Sequence, residues 1–112
     1  LGVDNDRIAL HNARTNRDLN GVTDRFALAV GGVECLPPRG AFDLVLANIL
    51  ADPLLEMAPS LAGMPAPGGW LVLSGLLHRQ EEELSRAYAL QGLRGPRVLR
   101  DQEWSALIWR RD

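Results

Sequence analysis

The chain has 112 residues, 46% of them hydrophobic, and a formal net charge of −2, which fits one modest domain able to bury a core. All 12 cations are arginine and form no basic stripe along the sequence, so direct binding to nucleic acid is not expected. Asp43, Asn48 and Asp52 interrupt the most apolar stretch well short of the ~20 residues that span a bilayer, and no charged-then-apolar leader opens the chain. The expectation is a cytoplasmic protein with no membrane partner, and a lone Cys35 suits that reducing compartment. Cys35 itself reads as a small buried hydrophobe.

Leu1 is not a start methionine, and Leu1-Gly2-Val3-Asp4 reads as the last residues of a strand, so the chain is expected to be a piece of something longer. Asp6 is a good N-cap for a helix from Arg7 to Leu19 with Ile8, Ala9, Asn12, Ala13 and Leu19 near one face, ended by Asn20-Gly21. Residues 26–30 form a second strand closed by Gly31-Gly32, ahead of a loop at Pro37-Pro38-Arg39-Gly40, and residues 41–46 form a third. Asp52 should cap a helix with Pro53 at its first position, where a missing N–H has no intrahelical partner to lose. Leu54, Leu55, Ala58, Leu61 and Ala62 make the apolar face of that helix, and Pro59 should kink it. Pro67-Gly68-Gly69 then turns into a fourth strand over residues 70–75. A charged helix over residues 79–90 buries Leu84, Ala87 and Tyr88. Strands over residues 96–100 and 104–110, joined by Asp101-Gln102-Glu103, pair as a hairpin. Strands alternating with helices in this way predict an α/β fold with a parallel sheet covered on both faces, plus an antiparallel strand from the hairpin.

In open α/β sheets, ligands bind beyond the carboxyl ends of the strands. That rule singles out Asp4, Gly31 to Glu34, Asn48 and Ser74. An acid ending the second strand of a nucleotide-binding sheet accepts hydrogen bonds from both ribose hydroxyls, each worth ~1.5–3 kcal/mol when charge-assisted. Asp4 is the candidate, and on position alone it reads equally as a turn acid ahead of the Asp6 cap. Asn48 ends the apolar run Leu44-Val45-Leu46-Ala47, and alone it reads as a strand-end Asx turn. His11, within a helix, and His78, at a helix start, are assigned no role.

The words "GVDND", a helix ending "NGV", "FDLVLANILADPLLEMAP", "APGGWLVLSGLL" and "EWSALIWRR" follow one another over nearly the whole chain. In this order they resemble the catalytic domain of the bacterial methyltransferase family acting on large-subunit ribosomal protein eleven, the PrmA type. "ANILADPL" with a downstream "LSGLL" carries the specificity, whereas the acid and "PGG" are shared by most S-adenosylmethionine-dependent methyltransferases. Arg7 departs from the proline often found after "DND", which a first helical turn tolerates.

The resemblance implies a Rossmann-like class I methyltransferase sheet, mostly parallel with an antiparallel last strand. Residues 1–112 would be the carboxyl-terminal part of a single catalytic domain. The first strand, its glycine-rich loop and a separate substrate-binding domain would lie before Leu1. It further implies S-adenosyl-L-methionine as cofactor, a ribosomal protein as substrate, and no metal. Asp4 would bind the cofactor's ribose. Asn48 would line the cofactor site beside the reactive methyl, where related N-methyltransferases hold their acceptor. Glu34 follows the strand that reaches adenine, a transfer resting on position and not on a motif.

Methyl transfer is an in-line displacement in which positioning carries most of the catalysis. Lacking the glycine-rich loop, the chain alone is expected to bind cofactor weakly and to transfer no methyl groups. Three other readings are open. A sister methyltransferase of protein glutamine or nucleic acid would show Asn-Pro-Pro-Tyr in place of Asn48-Ile49-Leu50-Ala51. A dehydrogenase would share Asp4 but not "PGGWLVLSG" or the hairpin. A non-catalytic truncated remnant would at most pair with other chains through open sheet edges.

Overall fold

The structure is a computed structural model that describes residues 1–37 and 39–112. The loop expected at residues 37–40 therefore lies partly outside the described residues, at Pro38. The chain divides into two units, Leu1–Pro37 and Pro38–Asp112.

In the first unit, β1 (Gly2–Asp4) pairs in parallel with β2 (Leu28–Val30), and α1 (Arg7–Leu19) makes the crossover. The start of α1 follows from Asp6, whose carboxylate accepts the Ile8 N–H at 2.8 Å. Its end is a Schellman turn: Gly21, at φ 67°, donates to the Asp18 carbonyl, and Val22 to the Arg17 carbonyl. The expected apolar face is rotated. Ala9, Leu10, Ala13 and Arg17 are half-buried, whereas Ile8 and Leu19 stand 74% and 79% exposed. A ladder of only three residue pairs beneath the helix covers a narrow stripe of it. β2 is likewise shorter than expected. Cys35 falls in a 3-10 turn (Val33–Cys35) and is exposed, not buried, because that turn runs over the surface beyond the strand end.

The second unit is a four-stranded sheet in the order β3-β4-β6-β5. β3 (Phe42–Asn48) and β4 (Pro65–Leu77) are parallel, with α2 (Ala51–Glu56) and α3 (Ala58–Leu61) between them. A 3-10 turn (His78–Gln80) leads into α4 (Glu81–Ala89), and then β5 (Arg97–Asp101) and β6 (Trp104–Arg110) form the expected hairpin. β6 lies antiparallel between β4 and β5. The mostly parallel plan with an antiparallel last strand therefore holds in the second unit, and the one pairing of the first unit is parallel.

Several local expectations are corrected. Asp52 does not cap α2. The helix begins at Ala51 behind Leu50, whose carbonyl already accepts the Leu54 N–H at 3.3 Å, so Pro53 sits third. The break falls at Met57, ahead of Pro59, which occupies the first turn of α3. Pro67-Gly68-Gly69 lies inside β4 as an outward bulge, since Phe42 opposes Pro65 while Leu44 opposes Trp70. Gly69 permits this: a Cβ there would meet the carbonyl oxygens of Ala66, Asp43 and Phe42 at 2.9 to 3.0 Å.

The core of the second unit lies between the helices and one face of the sheet, where Leu54, Leu61, Leu71, Leu73, Leu84, Tyr88, Leu107 and Trp109 are buried. Tyr88 stacks on Trp109 at 5.1 Å between ring centroids and donates its hydroxyl to the Leu54 carbonyl at 2.8 Å. Burial pushes the Tyr88 hydroxyl well above its ordinary pKa. The sheet is not covered on both faces as expected. Leu44, Leu46, Trp70 and Trp104 are exposed on the face away from the helices.

Candidate functional site

In the second unit Asn48 closes β3, directly opposite Ser74 of β4. Strand alternation puts it on the helix-free face with Leu44 and Leu46. Gly75 follows Ser74 at an irregularity of the β4–β6 ladder, where three steps from Leu73 to Leu76 face two steps from Leu107 to Ser105. Its φ of 73° is left-handed, and a Cβ built on it would overlap the Oδ1 of Asn48. The amide of Asn48 thus rests on bare backbone. Asn48 is exposed, and its side chain has no hydrogen-bond partner among the described residues. An Asx turn would have occupied that oxygen with a local N–H, and none forms. The segments "ANIL" and "LSGLL", separate in sequence, meet at this contact.

Beyond Gly75 the chain turns tightly into α4, with the Leu77 N–H donating to Gln80 Oε1 at 2.9 Å. Glu81 opens α4 and is buried. Its carboxylate accepts Arg100 Nε at 2.9 Å and Nη2 at 2.6 Å, and it also accepts the Ser105 hydroxyl. Arg100 first, then Ser105, hold its pKa down at about 2. This tie joins the start of α4 to both strands of the hairpin. Sequence reasoning missed it because the partners lie 19 and 24 residues downstream, beyond any local pattern.

A carboxyl held below its ordinary value of 4.5 stabilises the fold above that pH, and the contribution is lost as pH falls toward 2. Glu81→Gln is therefore expected to lower stability by ~1–2 kcal/mol near neutral pH. That deficit should shrink steadily below about pH 4.5. Denaturant unfolding of both proteins across this range checks it, and a deficit independent of pH would contradict the assignment.

In the first unit Asp4 ends β1, and Gly31 after β2 donates its N–H to the Asp4 carbonyl at 3.0 Å. One carboxylate oxygen, Oδ1, accepts the Asp6 N–H at 2.9 Å, which is the turn reading realised. The other has no partner among the described residues. Glu34 stands at the same sheet end, its carboxylate turned back to accept the Gly32 N–H at 2.9 Å. That bond and its own N–H hold the Glu34 carboxyl below its ordinary pKa. Gly32 allows the fold-back, since a Cβ there would fall 2.6 Å from Glu34 Oε2. Asp4 and Glu34 are thus brought to one strand end within the first unit, and Asn48 and Gly75 to one strand end within the second.

Neither His11, exposed on α1, nor His78 meets these residues in a hydrogen bond. Among the described residues, no cluster of three or more His, Cys, Asp or Glu is placed to hold a metal ion, and no helix is long and apolar enough to cross a membrane.

The family model described as Ribosomal protein L11 methyltransferase (PrmA) matches residues 1–112. The ribosomal protein L11 methyltransferase of Syntrophotalea carbinolica is 43% identical over 109 residues, which are 97% of this chain and 35% of that protein. The ribosomal protein L11 methylase of Lactobacillus delbrueckii subsp. bulgaricus superposes with a TM-score of 0.86 at 29% identity, covering 98% of this chain and 56% of that one. An RNA methyltransferase of Salinibacter ruber, solved with S-adenosyl-L-homocysteine, shares the fold at a TM-score of 0.71 and 18% identity, over 97% of this chain and 63% of that one. The chain spans about a third of the length of the curated relative, 35%. Its α/β fold is that of class I methyltransferases, and with the match running from the first residue to the last, the chain belongs to the PrmA family of ribosomal protein L11 methyltransferases.

Proposed function

We propose that residues 1–112 are the carboxyl-terminal part of the catalytic domain of an S-adenosylmethionine-dependent protein N-methyltransferase. Its acceptors are amino groups of a large-subunit ribosomal protein, and it works in the cytoplasm. The observation that carries this reading is the unpartnered Asn48 amide, held against Gly75 at the carboxyl end of a parallel strand. S-Adenosylmethionine, when bound, supplies an electrophilic methyl group on a sulfonium. The free carboxylate oxygen of Asp4 would suit a ribose hydroxyl, and Glu34 at the same strand end would serve the adenine. Asn48 would accept the acceptor's N–H through its carbonyl oxygen and so orient the nitrogen lone pair for the transfer. A lysine ammonium has no such lone pair, so it must lose a proton first.

Among the described residues β1 and β3 are each paired on one side only, and the chain spans 35% of its curated relative. Both facts support a site completed by residues outside this chain, among them the glycine-rich loop. Calorimetric titration with S-adenosylmethionine, of the intact protein and of residues 1–112 alone, tests the reading. The intact protein should bind, Asp4→Ala should weaken binding by ~10- to 100-fold, and the chain alone should bind weakly. An unchanged dissociation constant returns Asp4 to a turn residue. Failure of the intact protein to bind favours the non-catalytic remnant.

A further inference from the structure

We propose that the second unit carries a receptor for a phosphate group, built from Arg39, Arg94, Arg110 and Arg111. These four arginines and Asp112 line a cavity of about 220 Å³ beside the start of β4 and the end of β6. It lies away from Asn48. Arg110 opposes Trp70, four positions before Ser74 along β4, a separation of ~13 Å at the usual strand rise.

Three of the four guanidinium groups are held in place without an acid. Arg111 Nη1 donates to the carbonyls of Gly63 at 3.3 Å and Pro65 at 2.5 Å. Arg110 Nε donates to the Gly68 carbonyl at 3.3 Å, and its guanidinium carbon stands 5.6 Å from the centroid of the Trp70 ring. Arg39 lies flat against Gly63, where a Cβ would fall 2.5 Å from Nε, 2.6 Å from Cζ and 2.7 Å from Nη2. Carbonyls, an aromatic face and a bare glycine orient these groups but leave their charge uncompensated. Among the described residues the one carboxylate side chain lining the cavity, Asp112, reaches Arg94 at 3.6 Å with both side chains at least 80% exposed.

Like charges gathered in one concavity repel one another, and an anion relieves them all at once. Planar guanidinium forks match the paired oxygens of phosphate, and a fork already held by its other N–H groups loses little freedom on binding. A protein with net charge −2 and no lysine thus concentrates four of its 12 cations at one place. The phosphate belongs either to a small phosphorylated molecule or to a nucleic-acid backbone, and the two are separated by the test. The site is independent of the methyl-transfer reading, because no residue is shared.

The experiment is calorimetric titration of the intact protein with inorganic phosphate against chloride at matched ionic strength, repeated with a short single-stranded RNA. The comparison variant is Arg39→Gln with Arg94→Glu. Both side chains are exposed, so the fold should persist, which a thermal melt confirms. Arg111 is left alone because it ties two carbonyls. Saturable phosphate binding that weakens ~10-fold or more in the variant is expected. RNA binding at least ~10-fold tighter than phosphate, and falling steeply with salt, assigns the phosphate to a nucleic-acid backbone. RNA binding no tighter assigns it to a small molecule. Absence of saturable phosphate binding, or equal binding by the variant, overturns the proposal.

Discussion

Asn48→Ala in the intact protein is expected to lower the methyl-transfer rate by ~100-fold or more, since misplacing a nucleophile by about 1 Å can cost that much. The same change should scarcely touch the fold. Asn48 is exposed, lies on the helix-free face of the sheet and has no hydrogen-bond partner among the described residues, so its removal opens no cavity and strands no polar group. The stability change should stay within ~0.5 kcal/mol, as for surface substitutions generally. Rate and stability therefore separate cleanly, and cofactor affinity should change less than the rate. Asn48→Asp sharpens the test. It keeps the shape and an acceptor oxygen but adds a negative charge, which favours the ammonium over the free amine and so raises the pH at which the acceptor becomes nucleophilic. The rate of this variant should recover as pH rises. Single-turnover methylation across pH, with cofactor affinity measured in parallel, decides the matter. Parent rates in both variants would reduce Asn48 to a strand terminus.

What the sequence made legible follows the range of each interaction. The Asp6 cap and the Asn20-Gly21 stop are written in adjacent residues, and α1 has the expected bounds. β6 alternates between buried and open positions from Ser105 to Trp109, so its limits could be read as well. Errors appear where a local signal competed with a distant one. Asp52-Pro53 is a good helix start on its own, yet the chain had already turned at Leu50. Pro67-Gly68-Gly69 is a good turn, yet Gly68 donates to the Arg111 carbonyl and Gly69 accepts from the Arg111 N–H, which draws the segment into β4. The Asn48 position could be read from the run that precedes it, whereas its seat could not. Gly75 is one glycine among 11 until the register places it beside Asn48. Glu81 and the arginine cavity belong to the same class, assembled from residues far apart in the chain.

Gly75 supplies the most discriminating expectation, because it should act on catalysis only through its neighbour. Gly75→Ala imposes a side chain on a backbone at φ 73°, in the left-handed region, and drives a methyl group into the Oδ1 of Asn48. The backbone penalty cannot relax and should cost ~1–2 kcal/mol of stability. The overlap can relax, because Asn48 is the free end of an exposed side chain, and it does so by moving the amide off its seat. The rate should then fall nearly as far as in Asn48→Ala, by ~100-fold. In the double variant the two effects part. The stability loss from the backbone remains, while the rate falls no further than in Asn48→Ala alone, since the group that Gly75 positions is already gone. A complete cycle of single-turnover rates and unfolding free energies for the four proteins measures both. A further large loss of rate on adding Gly75→Ala to Asn48→Ala would mean that the bare backbone at Gly75 itself faces the acceptor. An unchanged rate in Gly75→Ala alone would mean that the amide works wherever it points, and the positioning role of Asn48 would fall with it.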